Sequence, residues 1–212
     1  AKFLRGANKA AAKANGETSW SNATWLVEVK DGKPGKFVRA ADLGLARLEK
    51  RSIPDPKDKE KSIEYEEKFF LVMKDGKPVA FEPNDETTVV EGDLFVDAEI
   101  APVGGADPVT VKSSLQILKE SAEEKSFEEW CEVAGLKPKD VITVARRLTS
   151  YGKQAAVDLH RGPAQHTNGF YNILAWMSVN MLLGNFDWKG GLAKATTYGY
   201  DGSKGGPFDL GK

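Results

Sequence analysis

The residues best equipped for chemistry lie together between positions 158 and 169, in the run Asp158-Leu159-His160-Arg161-Gly162-Pro163-Ala164-Gln165-His166-Thr167-Asn168-Gly169. Arg161 offers a permanently charged fork of donors that suits phosphate or pyrophosphate oxygens. Gln165 can donate and accept at once, which reading the edge of a heterocycle requires. Gly162 and Gly169 let a planar ligand or its phosphates approach the backbone. Other chemistries are poorly served. His160 and His166 are the only histidines in the chain, and two imidazoles without a third ligand, a His-Glu-x-x-His spacing or a cysteine pair do not make a zinc site. Cys131, the single cysteine, stands beside Trp130 in a helical pattern, where packing is the better reading than a nucleophile. Asp158 and His160 alternate on one strand face, but no partnered serine accompanies them and a hydrolase triad does not follow. The sequence therefore assigns no catalytic residue and no metal ligand within the chain.

The elements that must position this loop are legible around it. Gln154 to Leu159 is a short, mostly apolar run that predicts a buried strand. Phe170 to Leu183 predicts a buried helix, with Thr167 or Asn168 placed to cap its free N–H groups and Gly184 to end it. A polar loop running from a strand into a helix N-terminus is where open α/β sheets hold ligands, since unpaired amides and the helix dipole favour anions there. The residues alone leave a second reading open, in which Asn168 merely caps the helix and Arg161 pairs with a carboxylate.

Longer motifs weigh on that choice. Gly162-Pro163-Ala164-Gln165-His166-Thr167-Asn168-Gly169, the apolar helix, and Leu182-Leu183-Gly184-Asn185-Phe186-Asp187-Trp188-Lys189-Gly190-Gly191 resemble the middle of the catalytic subunit of molybdopterin oxidoreductases, the dimethyl sulfoxide reductase superfamily. The wording of these motifs, with the opening FLRGANKAAAKANGETSWSNATWLV, is most similar to the tetrathionate reductase and arsenate reductase branch. The resemblance implies a two-electron oxidoreductase acting on a sulfur or arsenic oxyanion, with molybdenum held by two molybdopterin guanine dinucleotides. Carried over by position, Arg161 and Gln165 would contact the dinucleotide-pterin, with His166, Asn168, Gly162 and Gly169 beside them. The family's molybdenum ligand has no match here. Relatives of this kind are several times longer, so the expectation is a piece of a larger subunit, inactive alone. Its iron–sulfur cluster, its membrane anchor and its electron-transfer iron–sulfur subunit would lie elsewhere, and its location would be periplasmic or at the cell envelope. The competing reading is a non-catalytic α/β module that binds a nucleotide or a protein surface.

Composition bounds both readings. With 212 residues, 41% hydrophobic and 29% charged, the chain can bury one large or two small cores. A net charge of −1 gives no reason to expect nucleic acid as a partner. The longest apolar run, in 170–183, is too short and too polar to insert in a bilayer. One cysteine leaves no disulfide framework and no iron–sulfur site within the chain. No signal-peptide pattern opens it, and its basic, Ala-rich start reads as an amphipathic helix over 3–15 rather than a transit peptide.

Upstream of the loop the signals are mostly turns. Asp31-Gly32 and Asp75-Gly76 sit between β-formers and predict two hairpins: Thr24 to Val29 with Phe37 to Arg39, and Lys68 to Met73 with Val79 to Glu82. The repeated Lys-Asp-Gly-Lys-Pro reflects shared turn chemistry, since its flanks do not repeat. Arg51 to Glu67 is charged and carries two prolines, as a solvated surface loop would, and Thr88 to Val96 reads as extended. From Pro108 the period changes to helical: 111–118, then Ser126 with Glu129 as a capping box and Gly135 as terminator, then a helix opened by Pro138 with Val141, Val144, Ala145 and Leu148 on one face. The fold class is thus α/β, a layered αβα lobe of a molybdopterin-binding domain with a β-hairpin-rich insertion. It divides into 1–105, helix and hairpins, and 106–212, the α/β segment with loop 161–169 and a Gly-rich tail.

Overall fold

A computed structural model of the chain describes residues 2–46, 49–55, 57, 58, 60–67, 69–158 and 162–192. The Asp-Gly turns organise its first half. Asp31 and Gly32 have φ of +51° and +71°, and Asp75 and Gly76 of +50° and +74°, the paired positive angles of a turn whose twist matches that of the strands it joins. The first turn links β1 (Leu26–Lys30) to β2 (Lys33–Phe37). β2 is an edge strand, which is why Pro34 is tolerated in it.

The segment 51–67 departs from expectation. It is a ribbon, not a loop: β3 (Glu49–Pro54) pairs antiparallel with β4 (Ser62–Glu67) in a register running from Glu49↔Glu67 to Pro54↔Ser62. Ile53, Ile63 and Tyr65 are each more than 40% exposed, so among the described side chains of the ribbon none is buried and backbone pairing holds it, without the apolar alternation that marks a strand buried on one face. The second Asp-Gly turn then joins β5 (Phe70–Lys74) to β6 (Lys77–Phe81) as predicted.

Two helical expectations are also corrected. Residues 3–15 form two helices, α1 (Lys2–Arg5) and α2 (Lys9–Ala14). The chain breaks between them because Asn8, fully buried, spends its side chain on the fold. It caps α2 through Ala11 N (3.0 Å) and donates to Thr88 O (2.7 Å), while Ala7 N reaches Val90 O (2.9 Å). After β7 (Asp97–Ile100), the predicted helix 111–118 proves to be β8 (Val109–Ser113) followed by α3 (Ser114–Ala122). Val111 is buried in the sheet and pairs with Glu28. Ser113 makes the switch: its hydroxyl accepts from Gln116 N (3.2 Å) and donates to Leu94 O (2.7 Å), a cap that fixes where helix may begin.

The resulting architecture is mixed α/β, as expected. A four-stranded antiparallel sheet of order β2-β1-β8-β7 lies beside the ribbons β3-β4 and β5-β6. Its core is Leu26, Val38, Ala40, Leu43, Leu71, Met73, Val96, Ile100 and Val111. A second cluster joins Ala7, Val72, Phe81 and Val90, and Trp25 seals the two, its ring 4.5 Å from that of Phe70 and its Nε1 donating to Ala7 O (3.0 Å). Full burial of a large aliphatic side chain such as Leu26 or Leu71 contributes about 1.5–3 kcal/mol.

The remainder is helical. α4 (Phe127–Ala134) starts on the predicted capping box, with Ser126 Oγ accepting from Glu129 N (3.2 Å) and Ser126 N donating to Glu129 Oε2 (2.7 Å), and ends on Gly135 in the left-handed region. Cys131 is buried in it, as predicted. α5 (Pro138–Ser150) has proline in its first turn. A 3-10 turn over Gly152–Gln154 follows. The predicted strand 154–159 is not formed among the described residues; Ala155 to Asp158 carry no assigned secondary structure, and Leu159 lies outside the description. α6 (Gly169–Leu183) then closes on Gly184, again as predicted.

Candidate cofactor loop and its mounting

Of the residues singled out by sequence, Arg161 and His160 lie outside the described residues. Gly162 opens a short 3-10 turn through Ala164, and Gln165, His166, Thr167 and Asn168 follow it with exposed side chains. Gly169 is buried as the first residue of α6. A Cβ there would come within 2.2 Å of Ala164 O, so this glycine serves loop closure rather than ligand access. Gly162 is the opposite case, with open space where a Cβ would point.

The capping expectation fails at Asn168. Its backbone sits at the N-cap of α6, but its side chain makes no capping hydrogen bond. The first amides of α6 therefore lack that side-chain acceptor, and an N-terminus in that state favours an anion. His166 is oriented instead by Asn172, whose side-chain amide is hydrogen-bonded to the ring Nε2 (3.0 Å).

What holds the loop is more elaborate than the sequence suggests. Asn180 and Asn185 are both fully buried. Asn180 Oδ1 accepts from Val157 N (2.9 Å) and Asn180 Nδ2 donates to Val157 O (2.7 Å). A side-chain amide thus offers Val157 the donor and acceptor that a neighbouring strand would. Asn185 Nδ2 donates to Ala155 O (2.6 Å) and to Asn180 Oδ1 (2.9 Å), while Asn185 Oδ1 is buried without a partner among the described residues. The strand signal at 154–159 thus marks backbone that must be paired, and the partner is a pair of side chains instead of a strand.

The closing motif 182–191 packs this mounting tight. A Cβ on Gly191 would fall 2.4 Å from Asn185 O and 2.7 Å from Lys153 O, and one on Gly184 would fall 2.8 Å from the Phe3 ring. Lys153 is ion-paired with Glu17, and its ammonium lies 4.5 Å from the centroid of the Trp188 ring. Thr18 Oγ1 donates to Phe186 O (2.6 Å). The N-terminal segment is thereby bound to the far end of the chain. Between them lies a cleft of about 910 Å³, lined by Phe3, Thr18, Trp20, Asp158, Met177, Met181 and Asp187 among others. Sequence reasoning missed this cleft; the only signal is that the motifs at 3–25 and 182–191 belong together.

The comparisons follow the same two ends. The chain is 38% identical over 212 residues, 99% of its length, to a selenate reductase subunit of Mesobacillus selenatarsenatis. It is 32% identical over 192 residues to a tetrathionate reductase subunit of Archaeoglobus fulgidus, and 36% identical over 177 residues to the corresponding one of Salmonella typhimurium. The chain matches an internal segment of molybdopterin oxidoreductase catalytic subunits. It spans 18%, 14% and 15% of the length of these three relatives. No family model matches the chain, and no solved structure does. The family's cofactor is molybdenum carried by molybdopterin. The loop's described residues offer donors and acceptors of the kind that the organic part of such a group requires. No group of three or more His, Cys, Asp or Glu side chains able to hold a metal occurs among the described residues, whereas Gly162 leaves an open approach beside exposed amide and imidazole groups. No helix among the described residues is long and apolar enough to cross a membrane.

Proposed function

We propose that this chain contributes part of the cradle for a molybdopterin guanine dinucleotide in an oxidoreductase catalytic subunit that reduces a sulfur, selenium or arsenic oxyanion. The observation that carries the proposal is the exposed loop 162–168 running into the uncapped N-terminus of α6, in a chain related to selenate and tetrathionate reductase subunits. When bound, the molybdenum–pterin group supplies the two-electron redox chemistry. The chain's own residues bind and orient. Arg161 pairs with phosphate oxygens by charge and a forked donor set. Gln165 offers a donor and an acceptor to the edge of the heterocycle. His166, held by Asn172 through Nε2, presents Nδ1 as a further polar contact. The first amides of α6 add positive potential for a phosphate, with Gly162, Asn168 and Gly169 shaping the backbone path.

The rest of its own subunit supplies the metal ligand, the iron–sulfur cluster and the remainder of the cradle, and an iron–sulfur subunit with a membrane anchor carries electrons to it at the cell envelope. The segment by itself has no turnover. In the full-length subunit, Gln165→Ala is expected to lower molybdenum and pterin content with an unchanged thermal melt, because it deletes polar contacts from an exposed position and no core volume. Full cofactor content and normal turnover in that variant would refute the assignment.

A further inference from the structure

We infer that Asn180 and Asn185 are positioning residues for the cofactor loop: a buried pair of amides that replaces a missing β-strand and fixes the backbone stem from which residues 159–169 emerge. The inference rests on the proposed role of that loop and adds what orients it. Residues 155–158 have no strand neighbour among the described residues. Residues 155–157 are half-buried, and backbone groups that lose part of their access to water must find partners within the protein. The partners come from α6, the helix the loop itself leads into, and from the turn that ends it. Asn180 engages both polar groups of Val157, and Asn185 engages Ala155 O while also donating to Asn180 Oδ1. The stem and the helix are therefore one rigid unit, and the loop is fixed at both of its ends. The mutual bond between the amides sets their orientation, since Asn180 Oδ1 must face both Val157 N and Asn185 Nδ2.

The surrounding contacts point the same way. Gly191 sits against the carbonyl oxygens of Asn185 and Lys153, so the motif closes over the start of the stem as well as the end of the helix. No residue of this clamp belongs to the exposed loop. Its contribution to ligand binding is made through Ala155 and Val157.

The test uses the full-length subunit with three variants: Asn180→Leu, Asn185→Ala and Gln165→Ala. Three quantities are read for each: hydrogen exchange over 155–158, molybdenum and pterin content after dialysis, and the thermal melt. Asn180→Leu keeps the branching at Cγ while removing both bonds to Val157. It is expected to speed exchange at the Val157 amide by about tenfold or more and to lower cofactor content severalfold. Asn185→Ala, which leaves the Asn180–Val157 pair in place, is expected to do both to a smaller degree, and it stands in should Asn180→Leu fail to accumulate. Unchanged exchange over 155–158, or faster exchange with full cofactor content, overturns the inference. Gln165→Ala separates it from the reading it rests on. Loss of cofactor in Gln165→Ala with full content in the asparagine variants overturns the clamp and leaves the loop contact standing. The reverse pattern supports the clamp and discards the contact by Gln165.

Discussion

The two halves of this chain are held together by different physics. From Lys2 to Ser113, β1, β5, β6, β7, β8 and the 3-10 turn over Ala40–Leu43 deliver aliphatic or aromatic side chains to two clusters, and Leu71, Val72, Val111 and Leu26 are essentially inaccessible. From Ser114 onward only Leu115 and Cys131 are buried hydrophobics among the described residues, and the largest side chains wholly cut off from solvent are the two asparagines. α5 buries none of its residues, and Val144 on the face predicted to pack is 67% exposed. α6 is apolar all round, as a fully enclosed helix would be, yet Phe170 and Tyr171 are about 70% exposed. The first half carries its own core. The second is shaped by caps, glycine fits and a polar clamp, and displays an apolar surface of the kind that marks an interface.

The sharpest way to break this contrast is paired truncation. Leu71→Ala should destabilise the chain by about 2–5 kcal/mol, as emptied core sites do. Leu174→Ala, at a position 48% exposed, should cost less than about 0.5 kcal/mol. Chemical unfolding of the two variants measures both, and similar losses would mean that α6 is packed as densely as β5.

Glycine fits test the mounting of the second half next. Gly191→Ala places a methyl against two carbonyl oxygens and should cost about 1–3 kcal/mol by overpacking. Gly162→Ala, with open space around it, should leave the melt almost unmoved. The pair sharpens the distinction between glycine retained for packing and glycine retained for ligand approach.

Caps give a smaller effect. Ser126→Ala removes an intact capping box and should cost about 1 kcal/mol, whereas Asn168→Ala should cost little because no capping bond exists to lose. A thermal melt of each compares them directly, and equal losses would restore the side-chain cap at α6.

The smallest effect belongs to the first half. The Thr87 hydroxyl and amide, with help from Thr88, hold the Asp85 carboxyl down at about 2. Its unfolded value is near 3.9. The carboxylate therefore contributes stability in full above about pH 4, and that contribution is lost as pH falls toward 2. Asp85→Asn should flatten the stability profile in that window by lowering stability near neutrality, with the two proteins converging as pH falls toward 2, as acid titration of both would record.

Legibility in the sequence divides along the same line. Turns and caps are readable because their chemistry is local: the glycines of Asp31-Gly32, Asp75-Gly76 and Gly184 admit positive φ for want of a Cβ, and the Ser126–Glu129 box bonds its own backbone. The break at Asn8 and the strand-to-helix switch at Ser113 are not, since each depends on partners some 20 to 80 residues away. The ribbon 49–67 hides because pairing without burial leaves no apolar period. At the candidate site, residue type and family motif reveal the loop, but its mounting stays hidden. Asn180 lies inside an apolar helix, where nothing local announces that its amide will serve as a strand, and the cleft behind Asp158 is built from segments at opposite ends of the chain.

The most direct test of the account is hydrogen exchange on the full-length subunit with and without its molybdenum–pterin cofactor. Loading should raise protection across 162–171, the loop and the first turn of α6, while β5 and β6 exchange equally in both states. Protection that stays unchanged over 162–171, with the gain confined to other parts of the subunit, would contradict the claim that this loop holds the cofactor.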